Sequence, residues 1–175
     1  MNVFNGEAVP GGRRKRLFAF ILDAIIVVGF AYVGYHLFGK PDFYSLKADM
    51  DAIKAAGGAD PELTSRVMAE FSSAYMTLLA IAFVYESVTQ LLTGGSTIGK
   101  LICGLRIVPC DPERKPAVQS LMLVIRSFLK MFAFLIFQGI PFLICCITMF
   151  TNAESRSGFD LVVKTRVIAK ADKKG

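Results

Sequence analysis

Two carboxylates sit where an apolar chain has little use for charge. Asp23 falls inside an apolar block at residues 17–38, seven positions after Arg16. On a helix that is two turns, so the pair shares a face with Asp23 about 10 Å deeper. Glu86 falls inside a second block at residues 71–92, six positions before its end, with Tyr85, Thr89 and Gln90 as polar neighbours. Arg126 and Lys130 stand at the start of a third apolar unit and can supply cations. An Asp at the centre of a membrane helix costs roughly 3 kcal/mol, while each Leu, Ile, Phe or Val returns only about 0.3–0.6. Such a group either exchanges a proton or cation, or is paired with a cation in a cluster that fixes helix register. Both chemistries stay open at this point.

Other chemistries fall away. Gly94-Gly95-Ser96-Thr97-Ile98-Gly99-Lys100 matches G-x-x-x-x-G-K, but Leu101 stands where a phosphate loop needs Ser or Thr for Mg²⁺, and no buried strand precedes it. Cys145 and Cys146 are adjacent in an apolar block, and Cys103 and Cys110 lie seven apart on a reducing side, so neither a metal site nor a disulfide is expected. His36, the single histidine, reads as interfacial. No nucleophile–base constellation can be assembled, and no cofactor, metal or enzymatic activity is expected.

The elements that must position these charges are membrane spans. Of 175 residues, 54% are hydrophobic and 19% charged, and the apolar ones come in blocks, which excludes a disordered, collagen-like or disulfide-scaffold chain. A 22-residue block covers about 33 Å as a helix, enough for a hydrocarbon core of ~30 Å. The first block follows Arg13-Arg14-Lys15-Arg16, yet it is too long for a signal-peptide core and lacks a clear cleavage site, so it reads as a retained helix. The third unit runs over about 121–150 and is interrupted by Gly139-Ile140-Pro141.

Basic residues orient the chain. Lys/Arg outnumber acids at 1–16, at 93–130 and in the tail 151–175, whereas Asp42, Asp49, Asp51, Asp60, Glu62 and Glu70 make the 39–70 connector acidic. The rule that Lys and Arg mark the cytoplasmic side puts the N-terminus inside and the 39–70 connector outside. A single straight third crossing would export the basic tail. A break at Pro141, forming a kinked or hairpin-like unit, returns it to the cytoplasm. The net charge of +6 then reflects orientation and contact with anionic headgroups rather than nucleic acid.

The connectors carry their own signals. Phe43, Leu46, Met50 and Ile53 fall at helical spacing on an outer-surface helix stopped by Gly57-Gly58. Asp60-Pro61-Glu62 starts the second spanning helix. Leu105-Arg106-Ile107-Val108 and Thr165-Arg166-Val167-Ile168 are β-branched runs able to pair, with a turn at Pro109-Cys110-Asp111-Pro112-Glu113.

Three of these segments also resemble a known family. Arg14-Lys15-Arg16-Leu17-Phe18-Ala19-Phe20-Ile21-Leu22-Asp23 resembles the opening of RDD-family membrane proteins, named for an Arg at the head of the first helix and two Asp. Residues 95–108, from Gly95 through Gly99-Lys100 to Gly104-Leu105-Arg106, resemble the family's G-x-T-P-G-K-x-x-x-G-L-R-V-V. Residues 158–167, Gly158-Phe159-Asp160 to Thr165-Arg166-Val167, resemble its closing L-H-D-x-x-x-x-T-x-V. The resemblance covers about 13–168 and implies that Arg16, Asp23 and Asp160 carry the Arg and the two Asp. Ile98 stands for the usual Pro, and Phe159 for the usual His. It implies a bacterial-type inner-membrane protein, with transport proposed only for some members.

The resulting expectation is a small all-α membrane bundle, a single domain over 1–175 with spans at about 17–38, 71–92 and 121–150. Its candidate charge cluster is Arg16, Asp23, Glu86, Arg106, Arg126 and Asp160. The leading function is transport-related or ion-coupled, with Asp23 and Glu86 as exchanging groups and Arg16 and Asp160 gating them. The alternative is a membrane scaffold or assembly partner in which Arg and Asp form a structural clasp. A homo-oligomer or a membrane-protein partner is expected.

Overall fold

In the computed structural model, the chain is described over residues 11–38, 43–55, 57, 60–111, 113–151 and 156–169. Helix α1 (Arg13–Phe38) is followed by α2 (Phe43–Ala55), α3 (Pro61–Thr93), the single turn α4 (Ile98–Ile102) and strand β1 (Leu105–Pro109). Helix α5 (Pro116–Leu135) then passes through a 3₁₀ turn at Ile136–Gly139 into α6 (Ile140–Thr151), α7 (Gly158–Val162) and β2 (Thr165–Ala169). Among the described residues three helices, α1, α3 and α5, are long and apolar enough to cross a membrane. Much of their surface is large exposed hydrophobics such as Phe18, Ile25, Val28 and Leu92, as lipid contact requires.

Two compact units divide the chain, Met1–Ile25 with Phe83–Gly175, and Ile26–Ala82. In the second, Asp60 caps α3 by accepting from the N–H groups of Glu62 and Leu63 at 3.0 and 3.1 Å. Of the expected α2 stripe, Leu46 is buried, Ile53 half-buried and Met50 exposed; the Phe43 side chain and Gly58 lie outside the described set. Arg66 on α3 reaches Asp49 on α2 at 3.7 Å, and the Tyr35 hydroxyl donates to the Ala74 carbonyl at 2.8 Å, tying α1 to α3.

The first unit is organised by its ends. Strands β1 and β2 pair antiparallel, with Ile107 opposite Val167 and Pro109 opposite Thr165, as their β-branched composition predicts. Neither edge is left bare. Ile107 N–H donates to Gly95 O at 2.8 Å, and Gly11 N–H donates to Val167 O at 3.0 Å. Leu105, Ile107 and Val167 pack with Ala19 of α1 and Leu123 of α5. The ribbon therefore sits beside the head of the first helix.

The third apolar unit is broken as expected, with one refinement. The 3₁₀ turn and Gly139, at φ +90°, make the reversal. Pro141 lies in the first turn of α6, where its missing N–H costs nothing. Helix α6 then runs back along α5. Phe134 stacks on Phe142 at 4.0 Å, while Phe142 packs with Ala133 and Phe159 in a cluster that also includes Leu129 and Cys146. Twelve residues of α6 span only about 18 Å. The unit is a short returning hairpin, and it delivers α7 to the side of α5.

Helix α4 lies directly on α1. A Cβ at Gly99 would stand 2.3 Å from the Ala19 carbonyl oxygen and 2.9 Å from the Asp23 carboxyl, so only glycine permits this approach. Gly99→Ala is therefore expected to destabilise the protein by at least about 2 kcal/mol. Gly29→Ala, on α1 with nothing within 4 Å of its Cβ, is expected to be neutral or to stabilise by up to about 1 kcal/mol. Thermal unfolding in detergent measures both; equal melting temperatures for the two variants would refute the close approach.

Candidate functional site

The site grows from α7. Ser157 precedes this helix as its N-cap, and a capping box forms: the Ser157 hydroxyl accepts from Asp160 N–H at 3.3 Å, and the Asp160 carboxylate accepts from Ser157 N–H at 3.2 Å. The Ser157 hydroxyl also lies 2.8 Å from that carboxylate. The box fixes the rotamer of a side chain only 1% exposed. Its Oδ1 then accepts from Arg126 Nε at 2.9 Å and, more weakly, from the Thr165 hydroxyl at 3.4 Å. Arg16 approaches Oδ2 at 3.9 Å and donates to the Val167 carbonyl at 2.9 Å. Burial alone would raise the Asp160 carboxyl. Arg126 and the Ser157 hydroxyl and N–H outweigh it, holding the group well below the usual carboxylate range.

Arg126 continues the chain of charges. Its Nη1 lies 3.3 Å from Glu86 Oε1. Lys130, one turn further along α5, pairs with that oxygen, and Lys100 of α4 reaches it at 3.7 Å. Positions 126 and 130 share a face of α5 because they are four apart, and Ser127 beside them receives the Gln90 amide of α3 at 3.4 Å. Three cations thus converge on one carboxylate oxygen.

Asp23 is held differently. Its carboxylate accepts from the Tyr85 hydroxyl at 2.7 Å, from the Gly99 backbone N–H at 2.8 Å and from the Thr97 hydroxyl. These donors come from α3 and from the segment leading into α4. A carboxylate in a low-dielectric setting needs donors, and this half-buried one has three.

The fold therefore brings together Arg16, Asp23, Glu86, Arg126 and Asp160 within one unit. Arg106 is placed apart, its Nε donating to the Gly94 carbonyl at 2.9 Å in the loop before α4. Residues outside the sequence-based set complete the network: Tyr85, Thr97, Gly99, Lys100, Lys130, Ser157 and Thr165. The segment 94–100, unsuited to nucleotide, instead supplies Thr97 and Gly99 to Asp23 and Lys100 to Glu86. Phe159, where the resemblance has His, is buried against Phe142 at 5.8 Å. Its ring fills an apolar pocket beside Asp160. The four cysteines are free thiols, and among the described residues no group of His, Cys, Asp and Glu could hold a metal ion.

Comparison with known proteins agrees with the motif reading. The model of the RDD family matches residues 10–164. No curated protein and no solved structure matches the chain.

The geometry gives a graded expectation. Asp160→Asn leaves Arg126 buried with one partner fewer and is expected to cost about 3–5 kcal/mol. Ser157→Ala, which removes the cap and the hydroxyl's hydrogen bond to the Asp160 carboxylate, is expected to cost about 1–2 kcal/mol. Because the folded carboxyl titrates below the unfolded one (~3.9), its contribution is complete above that value and fades as pH falls toward about 2. Melting curves of wild type and Asp160→Asn should be far apart at pH 7 and converge in acid; a constant separation down to pH 2 would contradict the pairing.

Proposed function

This chain belongs to the RDD family, and from that premise we propose that it is a non-catalytic scaffold or assembly partner of the bacterial inner membrane. The observation that carries this reading is the continuous clasp. Arg16, Asp160, Arg126, Glu86, Lys130 and Lys100 link α1, α7, α5, α3 and α4 through ion pairs at 2.9 to 3.9 Å and the Lys130–Glu86 contact. Asp23 joins α1 to α3 and α4 through three hydrogen bonds. Every carboxylate in the cluster is occupied by protein donors, which suits holding helix ends in register better than passing an ion. Basic residues around both ends of this unit support a cytoplasmic N-terminus and C-terminus. The hairpin α5–α6 and the β1–β2 pairing support the same side for both. Partners are then anionic headgroups and an apolar helix face, either of a second copy or of another membrane protein.

A second reading has one observation in its favour. The Glu86, Lys100 and Lys130 side chains keep 16%, 13% and 20% exposure, so this end of the cluster is open to exchange in a way that Asp160 is not. That supports an ion-coupled role for the acidic groups Glu86 and Asp23, both of them half-buried.

Asp23→Asn separates the two readings. For a clasp, the variant is expected to lose thermal stability in detergent by about 1–3 kcal/mol, one buried carboxylate contact set being weakened, and to lose co-purifying membrane partners. Purified wild type in vesicles should show no cation- or proton-coupled flux. Flux that disappears in a fully stable Asp23→Asn protein would replace the clasp with transport. A reporter fused at residue 175 should read cytoplasmic.

A further inference from the structure

We infer that α4 and α7 are two copies of one membrane-interface anchor, seating Leu101 and Ile102, and Leu161 and Val162, among the phospholipids of the cytoplasmic leaflet. Both anchors rest on the inner-membrane placement proposed above, to which they add the residues that meet lipid. The chain contains a repeat. Residues 97–109 and 157–169 build the same unit sixty positions apart: an extended cap, a single helical turn, a left-handed residue and a five-residue strand. Thr97 and Ser157 are the caps, and each hydroxyl meets a carboxylate, Asp23 in one copy and Asp160 in the other. Three backbone hydrogen bonds recur in step. Leu101, Cys103 and Gly104 donate to the carbonyls of Thr97, Gly99 and Leu101 at 2.8, 3.1 and 3.0 Å. Leu161, Val163 and Lys164 donate to those of Ser157, Phe159 and Leu161 at 3.1, 3.2 and 3.3 Å.

The strand register keeps the relation. Ile107 pairs with Val167, its own counterpart, while Leu105–Ala169 and Pro109–Thr165 change places under the sixty-residue shift. The copies are therefore related by a local two-fold axis through the Ile107–Val167 pair, perpendicular to the ribbon. A flat surface normal to that axis meets both copies equally, as a bilayer does.

Depth points to lipid. Each turn packs by a glycine against an apolar helix. Gly99 of α4 lies on α1 at Ala19 and Asp23, past the basic residues 13–16 and beside exposed Phe18 and Phe20. A Cβ at Gly158 of α7 would stand 2.7 Å from Cys145 Sγ on α6. At those levels Leu101, Ile102, Leu161 and Val162 are all exposed, Ile102 at 68% and Val162 at 69%. Two equivalent pairs of large apolar side chains at the rim of a spanning bundle are suited to the boundary between headgroups and acyl chains. Charge complements them. Exposed Arg13, Arg14 and Lys15 head α1, and exposed Lys164 follows Val162 by two positions. Lys164 holds φ +51° where the first copy has Gly104 at +65°. A side chain is strained in that region, so the lysine needs a compensating contact, which a lipid phosphate supplies.

The chain contains no tryptophan, so a single introduced one reports only its own surroundings. Full-length Ile102→Trp and Val162→Trp are placed in phosphatidylethanolamine–phosphatidylglycerol vesicles that carry lipid brominated along the acyl chain. Both should be quenched by the brominated lipid, to a similar degree, and little by iodide in the buffer. Val28→Trp, on the lipid-exposed surface of α1, is the spanning control. Val108→Trp, on the ribbon face of Arg106 and Arg166, should escape the brominated lipid. Leu101→Trp and Leu161→Trp give the same reading where either first variant fails to fold. Quenching by iodide in place of brominated lipid would put the turns in water. Shielding from both would put them against protein, a second copy included. Either result overturns the anchors, as does quenching of one copy alone or equal quenching of Val108→Trp. With Val28→Trp quenched, those failures leave the spans standing. An unquenched Val28→Trp would overturn the membrane placement and the anchors with it.

Discussion

One guanidinium, that of Arg126, spans two carboxylates that come from the middle and the last part of the chain. Its Nε meets Asp160 of α7 and its Nη1 meets Glu86 of α3. The group is 4% exposed, so this geometry is a requirement and not an ornament. A buried cation without partners is costly by several kcal/mol. To place both acids beside Arg126, the chain must reverse after α5, cap α7 with Ser157 and close β2 against β1. The returning hairpin, the capping box and the ribbon register all follow from that single need.

The same constraint accounts for the sequence around residues 94–107. Asp23 is half-buried on α1, and its donors come from the protein: a tyrosine hydroxyl from α3, the threonine hydroxyl that precedes α4 and a glycine N–H in its first turn. Glycine at 99 allows α4 to lie on the α1 backbone. Gly95, at φ +117°, turns the chain so that its carbonyl seals the free edge of β1. The segment resembles a phosphate loop only in spelling; here its backbone serves an internal carboxylate.

Much of this was legible beforehand, for physical reasons. Spans show themselves because some 20 apolar residues have few other uses. The broken third unit was readable because a straight crossing would misplace six basic residues; Asp23 and Glu86 stood out by their cost in an apolar setting, Arg126 as a cation at the start of the third unit, and Arg16 as the basic residue two turns before Asp23. Asp160 was different. It lies in a polar tail where an acid is ordinary, and only the family resemblance singled it out; its burial depends on α6 returning along α5, which no local pattern specifies. Arg106 carries the same charge as Arg126 yet is placed at the Gly94 carbonyl, because its strand alternation points it away from the core face shared by Leu105 and Ile107. Lys100 was hidden by its motif, which drew attention to phosphate and away from Glu86.

The most direct test of the account is a double-mutant cycle on Arg126→Met and Asp160→Asn, read by thermal unfolding of the full chain in detergent. Each single change strands the other partner in a buried site, and the double change removes both. The account predicts that the double variant loses less stability than the two single losses combined, with a coupling of about 1–3 kcal/mol. Strictly additive losses would mean that the two side chains do not hold each other, and the clasp would have to be abandoned.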